Sequence, residues 1–511
     1  MNIKKKRRPL QGVEIEDYLL TATEKEAARM EKPFTRKQFS VFWWCIVATL
    51  LVLGARTFYL SVVKGSYYQE IAKGNRIRAI VIKSPRGKIM DRSGQILVNN
   101  IPSIDAVIVP FDLPRDDLKI KEMASGLSDI IKINEGEIRA KLESVDPVSL
   151  TPILLKERLA QEEALILLER GREFPGVVME KTAVRDYVDG LIFSHILGYE
   201  GKIEKEELEN NSGYLLTDYI GKQGIEKSYE NQLRGVNGAF QAEVDSAGSI
   251  KREIGIINPK PGNDLVLGID AGLQKKIFDG LNAILEKTRT STAAAVALNP
   301  KNGEVLALVS LPSFDNNLFT QGMSSDEYVK LANDPDKPFF NRAISGAYPP
   351  GSVIKPIYAA AGMTEGIINP SSAVNCTGSI SVGTYRFGDW KTHGHTDVRK
   401  AIAESCDVFF YSVGGGYGDI SGLGIERMKK YANIFGLGAA AGIDIPGEVD
   451  GFFPDEQWKL NKLGEKWYTG NSYHAAIGQG FITVTPLQIA NYVAAIANGG
   501  KLYRPYLVSQ I

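Results

Sequence analysis

Residues 39–63 decide where the rest of this chain must fold. Phe39 to Ala55 is an uninterrupted run of apolar to weakly polar residues, and Thr57 to Val63 extends it beyond Arg56. A run of that length crosses a bilayer once Arg56 snorkels to the far interface. Ahead of it stand Lys4, Lys5, Lys6, Arg7 and Arg8, then Arg29, Lys32, Arg36 and Lys37 close to the apolar stretch. Residues 1–38 carry ten basic and six acidic side chains, ten minus six giving a net +4. Basic flanks stay in the cytoplasm. Residues 1–38 therefore read as a cytoplasmic tail, 39–61 as a transmembrane helix, and the remainder as extracytoplasmic. The Trp43-Trp44 pair suits a membrane interface better than a buried core helix. No small-residue cleavage site follows, so the segment reads as an uncleaved, single-pass anchor.

At 511 residues the chain is too long for one ordinary domain, and 44% hydrophobic with 23% charged residues is a core-forming composition. Lys plus Arg equals Asp plus Glu at 60 each, so no global charge argues for nucleic acid. Cys45 lies in the apolar run, leaving only Cys376 and Cys406 outside it, too few for a disulfide framework. Residues 62–264 form a block with turn chemistry in Ser84–Gly94 (Ser-Pro-Arg-Gly-Lys-Ile-Met-Asp-Arg-Ser-Gly). Further strings are Arg185-Asp186-Tyr187, Ser194 to Tyr199, Gly221 to Glu230, Leu233-Arg234-Gly235 and Val244 to Gly248. None of these strings joins nucleophile, base and orienter. His195 accordingly reads as a structural histidine beside a helix end, and the block as a rigid pedestal or interaction module.

Residues 265–511 read as an α+β domain. Asp270 is placed to cap a helix that carries Leu273, Ile277, Leu281 and Ile284 on one stripe. Ala293–Leu298 and Glu304–Val309 read as strands joined by Asn299-Pro300-Lys301-Asn302-Gly303, a hairpin turn. Helices are expected from the Pro349–Lys355 region through Ala361 and around 402–411, 423–435 and 484–497. The arrangement predicts an antiparallel sheet against a helical cluster.

Within this block, Pro350-Gly351-Ser352-Val353-Ile354-Lys355-Pro356 holds Ser352 and Lys355 one helical turn apart on the same side. A crowded Lys that loses its proton can take one from the neighbouring hydroxyl, which makes Ser a usable nucleophile. Pro349 and Pro350 discourage helix before them, so Ser352 falls in a first turn, where the dipole favours developing negative charge.

With its surroundings this string resembles the penicillin-binding family of serine acyltransferases, which use Ser-x-x-Lys, Ser-x-Asn and Lys-Ser/Thr-Gly. Arg342-Ala343-Ile344 leading to Tyr348 through Pro356 looks like the first motif in context. Ser405-Cys406-Asp407 looks like the second, with Asp in place of Asn. Ile477-Gly478-Gln479-Gly480, Thr485-Pro486-Leu487-Gln488 and Ala497-Asn498-Gly499-Gly500 resemble the stretch that leads to the third. The strings of the 62–264 block resemble the family's non-catalytic, dimerisation-type pedestal. The absence of a glycosyltransferase-like domain before it implies class B. Asp407 and the Asp389-Trp390, His393-Gly394-His395 strings look more like the elongation-type subgroup (penicillin-binding protein 2) than the septal one.

The resemblance implies a bacterial inner-membrane D,D-transpeptidase, its catalytic domain outside the cytoplasm. Ser352 would attack the D-Ala-D-Ala carbonyl of a peptidoglycan stem peptide, Lys355 would act as general base, Ser405 would relay the proton and Asp407 would hold Lys355 or the substrate. β-Lactams would mimic the substrate, and no cofactor is required for the chemistry. The implied partners are a SEDS-type membrane glycan polymerase and the elongation complex. No Lys-Ser/Thr-Gly follows Ser405 in this chain, so 265–511 is expected to be a C-terminally incomplete transpeptidase domain. Losing one oxyanion-hole donor with that strand would cost about 3–4 kcal/mol of transition-state stabilisation. The rival functions are a β-lactamase or D,D-carboxypeptidase using the same Ser352 and Lys355, and a non-catalytic scaffold that activates the polymerase through the pedestal.

Cys376, Asp389, His393 and Cys406 form a second constellation, with His395 as the alternative to His393. Two thiolates, an imidazole and a carboxylate suit a tetrahedral, structural zinc. A Cys376–Cys406 disulfide or two buried free thiols are the other readings of the same pair.

Overall fold

In a computed structural model, residues 36–65, 77–147, 149, 152–211, 213–215, 217–244 and 250–511 are described. The basic N-terminal tail up to residue 35 and the Asp245–Gly248 string lie outside them. The chain divides into two compact units, Met1–Arg76 and Ile77–Ile511.

In the first unit Arg36–Phe58 is an α-helix that continues as one π-helical turn, Tyr59–Val63. Its apolar span, Phe39–Val63, is 25 residues, about 37 Å at 1.5 Å per residue against a hydrocarbon core of about 30 Å. The two hydroxyls Thr49 Oγ1 and Thr57 Oγ1 donate back to Cys45 O and Leu53 O at 2.8 Å, so these side chains carry no unmet donor into an apolar environment.

The second unit is mixed α and β. Ile96–Ile108 is its longest strand and pairs antiparallel with Val177–Tyr187 along Val98 to Ile108. The same sheet runs from Ile153–Lys156 through Ile96–Ile108, Ile89–Met90 and Leu265–Leu267 to Val508–Gln510. It thus binds strands of the 62–264 block to strands of the 265–511 block. Beneath it one core collects Ile89, Val98, Tyr187 and Phe193 with Leu265, Val305, Ile344, Leu487 and Leu507. A separate core of Met123, Leu127, Ile138, Leu142, Leu155, Leu167 and Phe174 closes a three-helix lobe on the pedestal.

The turn read at Asp91 is built by its own carboxylate, whose Oδ1 accepts from Ser93 N–H (2.8 Å), Ser93 Oγ–H (2.7 Å) and Gln95 N–H (2.9 Å). Asp270 caps Ala271–Thr288 by accepting from Leu273 N–H at 2.9 Å. The expected hairpin is present as Ala293–Leu298 paired with Val305–Leu311. Phe278, Leu281 and Leu285 of the Ala271–Thr288 helix pack against it. One expectation is corrected: 402–411 is not a single helix. It breaks into Val398–Ala403 and Asp407–Gly415 because Ser405 adopts φ 56°, a left-handed conformation that interrupts an α-helix.

Three of the pedestal strings, with Glu200 just beyond a fourth, meet in one ionic cluster. Arg185 and Glu226 have no exposed side-chain surface and pair at 2.7 Å. Arg86 bridges Glu226 (2.6 Å) and Glu230 (2.8 Å) and lies 3.4 Å from Glu200. Arg185 also donates to Gly87 O (2.7 Å) and Asn100 Oδ1 (3.0 Å). Burial pushes Glu226 up, but Arg185 and Arg86 outweigh it and hold the carboxylate below its usual range. Burial pushes Glu200 up to about 7, against the partial compensation of Arg86 at 3.4 Å and of Arg185. His195 is structural: its ring is buried, contacts Pro338 O at 2.8 Å and meets Phe314 edge-on. Burial lowers it to about 4.

Candidate active site

Gly351–Ile354 forms a 3-10 turn that runs directly into the helix Lys355–Thr364, with Pro356 in its first turn. Proline is tolerated there because the first turn has no intrahelical acceptor for its missing N–H. The segment before Ser352 is pinned from both sides. Tyr348 and Val484 exchange backbone hydrogen bonds at 2.9 Å, and Gly351 N–H donates to Gly478 O at 2.9 Å. Gly478 sits at φ 71°, and a Cβ there would lie 2.2 Å from Gly351 O. Only glycine fits both demands. Gly478→Ala must push the Ser352 backbone aside, and a displacement of about 1 Å costs on the order of 100-fold in rate. Acylation kinetics on a folded variant check this, and a wild-type rate would refute it.

Lys355 lies at the floor, 1% exposed. Its ammonium donates to Ser405 O (3.0 Å), Ser405 Oγ (3.1 Å) and Asp407 Oδ1 (2.5 Å), with the Phe410 ring 5.4 Å away. Ser405 Oγ–H donates to Ser352 Oγ at 2.8 Å. Ser352, Lys355, Ser405 and Asp407 are thus brought together as a single hydrogen-bonded chain. The expected direct pairing of Lys355 with Ser352 is corrected: among the described residues there is no hydrogen bond between them, and Ser405 stands between. The left-handed backbone at Ser405 is what allows both its carbonyl and its hydroxyl to face Lys355. Nor is Ser405 a helix cap. Cys406 fills that role, its Sγ accepting from Phe409 N–H at 3.4 Å. Asp407 opens the Asp407–Gly415 helix, where the dipole favours a carboxylate.

Beside this chain, Cys376, Asp389 and Cys406 place donor atoms within 4.8 Å of one another. Cys376 ends the strand Ala373–Cys376. Asp389 Oδ2 accepts from Val408 N–H (3.0 Å) and Cys376 Sγ (3.5 Å). His393 Nε2 lies 3.2 Å from Asp389 Oδ1. His395 is exposed and outside the group, so the alternative histidine is not the one brought in. Cys376 and Cys406 are both free thiols, which removes the disulfide reading. Sequence reasoning missed Phe410 beneath Lys355, the Tyr492 hydroxyl that donates to Val353 O, and Glu404, whose carboxylate lies 3.1 Å from His393 Nδ1. Only the adjacency of Glu404 to Ser405 could have pointed to it.

Residues 293–511 match the penicillin binding protein transpeptidase domain, and residues 81–267 the penicillin-binding protein dimerisation domain. The chain belongs to the penicillin-binding protein family. Among its relatives, the peptidoglycan D,D-transpeptidase MrdA of Haemophilus influenzae is 35% identical over 489 residues, covering 94% of this chain and 72% of that protein. MrdA of Acinetobacter baumannii is 34% identical over 470 residues, covering 91% of this chain and 67% of that protein. The solved complex of penicillin-binding protein 2 with MreC from Helicobacter pylori aligns with a TM-score of 0.74 at 27% identity, covering 85% of this chain and 79% of that one. This penicillin-binding protein is a class B, elongation-type member with an N-terminal apolar helix, a dimerisation-type pedestal and a transpeptidase domain.

Proposed function

We propose that this chain is a serine D,D-transpeptidase that cross-links peptidoglycan stem peptides in cell elongation, with Ser352 as nucleophile. The observation that carries this reading is the unbroken chain Ser352–Ser405–Lys355–Asp407. Ser352 Oγ attacks the carbonyl between two terminal D-alanines. Its proton passes to Ser405 Oγ while Ser405 yields its own toward Lys355 in its deprotonated form. Asp407 balances the charge that Lys355 gains. The bond to the terminal D-alanine breaks, and the proton returns through Ser405 to that leaving amine. An ester on Ser352 remains until an amine of a neighbouring stem attacks it, forming the cross-link and freeing Ser352. The Ser352 N–H, in the 3-10 turn ahead of the Lys355–Thr364 helix, would be one donor to the developing oxyanion. A β-lactam follows the same first step and stalls as an ester. The chemistry uses protein groups alone and needs no cofactor.

Labelling the full chain with a fluorescent penicillin tests this reading. Signal is expected on the wild type and none on Ser352→Ala; equal signal on both would refute the assignment.

The domain division supported by the sequence is an anchor at 39–61, a pedestal at 62–264 and a catalytic domain from 265. The anchor places the chain in the bacterial inner membrane with its N-terminus in the cytoplasm. The pedestal is the surface for elongation-complex partners, including a SEDS-type polymerase, in keeping with the MreC complex of the Helicobacter pylori protein.

Cys376, Asp389, His393 and Cys406 further suit a structural zinc ion. Two sulfurs, a carboxylate and an imidazole are a zinc donor set, and three of the donors already lie within 4.8 Å. Bound there, the ion would tie the strand Ala373–Cys376 to the head of the Asp407–Gly415 helix.

A further inference from the structure

We propose that Glu404 is the positioning residue of that metal site, holding His393 with Nε2 presented to the ion; the inference rests on the zinc reading above. His393 has no exposed side-chain surface, and both of its ring nitrogens face carboxylate oxygens. Nδ1 is 3.1 Å from Glu404 Oε2, and Nε2 is 3.2 Å from Asp389 Oδ1. An ionised carboxylate only accepts hydrogen bonds. With its proton on Nδ1, directed at Glu404, a neutral imidazole keeps Nε2 as an acceptor. In that form the Nε2 lone pair faces Asp389 Oδ1, and a cation held by both would make the approach favourable. A carboxylate behind a ligating histidine fixes its tautomer and ring orientation and raises its basicity.

Glu404 is itself tied at its carboxylate, carbonyl and N–H. Its carboxylate receives Lys391 Nζ at 2.9 Å. Its carbonyl accepts from Trp390 Nε1 at 3.2 Å, and its N–H donates to Lys400 O at 2.8 Å. Lys400 Nζ in turn donates to His393 O at 2.7 Å, so the histidine is fixed at both backbone and ring. Glu404 directly precedes Ser405. One residue therefore orients a metal ligand and adjoins the hydroxyl that contacts Ser352.

The test measures zinc affinity of the full chain in detergent, by competition with a chromophoric chelator, for wild type, Glu404→Ala, Glu404→Gln and Lys391→Ala. Outer-shell partners of this kind contribute about 10–100-fold to metal affinity, and Glu404→Ala is expected to lose that much. Glu404→Gln keeps an acceptor oxygen for Nδ1–H and is expected to lose less. Lys391→Ala removes an exposed ion-pair partner worth at most about 1 kcal/mol and is expected to stay near the wild type. Equal melting temperatures of the metal-free forms establish that the variants fold. Unchanged zinc affinity in Glu404→Ala would overturn the Glu404 assignment alone. A wild type that binds no zinc would overturn the metal reading and this inference with it.

Discussion

Lys355→Ala is expected to slow acylation by a fluorescent penicillin by about 10⁴-fold or more, because removing one member of a coupled catalytic unit costs nearly as much as removing all of it. Among the described residues Lys355 is the only cation hydrogen-bonded to Ser405 Oγ, and it is linked to the proposed nucleophile Ser352 through that hydroxyl. Ser405→Ala should therefore cost about 10²–10⁴-fold, the usual worth of a positioned proton-transfer group. The combined Lys355→Ala, Ser405→Ala variant should be little slower than Lys355→Ala alone, since the two act in series. Stopped-flow labelling gives all three rates. A Ser405→Ala variant that acylates at the wild-type rate would show that Lys355 reaches Ser352 directly and that the relay seen here is not used.

The second large effect lies far from the nucleophile. Glu226→Ala leaves Arg185 uncompensated where its side chain has no exposed surface, at a cost of about 3–5 kcal/mol, and Arg185→Ala should cost less because Arg86 still pairs with Glu226 at 2.6 Å. For a unit spanning Ile77–Ile511, at about 2.1 cal/mol/K of unfolding entropy per residue, that corresponds to a melting temperature lower by about 3–6 °C. Arg185→Met combined with Glu226→Leu should recover much of the loss, because no buried charge then lacks its partner while Arg86 keeps Glu230. Single and double variants of equal stability to the wild type would show that the pair contributes nothing.

Glu200, in the same cluster, sets a pH dependence. Its folded value near 7 stands above the ordinary 4.5, so across that window the folded chain binds more protons than the unfolded one. The stability it contributes is present below about 4.5 and lost as pH rises through 7. Thermal melts of Glu200→Gln should lack that decline; a decline equal to the wild type's would exclude Glu200 as its source.

Local chemistry made much of this legible. The anchor follows from an apolar run beside basic residues, and Asp270, Asp91 and the 299–303 turn act through partners within a few positions of themselves. Ser352 with Lys355 was legible for the same reason, since one helical turn sets their spacing. The unbroken helix expected at 402–411 failed because propensity describes α-helix and carries no information about a single left-handed residue. The pedestal strings showed no chemistry in isolation, because Arg86, Arg185 and Glu226 acquire their meaning only from one another, 41 to 140 positions apart.

By itself, then, the sequence determined the apolar N-terminal helix, the order of pedestal and transpeptidase domains and the candidate side chains that the structure brings together, all set by periodicity, composition and short-range spacing. Tertiary structure alone decided that Ser405 separates Lys355 from Ser352, that Gly478 braces the Ser352 backbone and that His393, not His395, meets Asp389. Those outcomes depend on where distant backbones cross, and packing fixes the crossings to within a few tenths of an ångström.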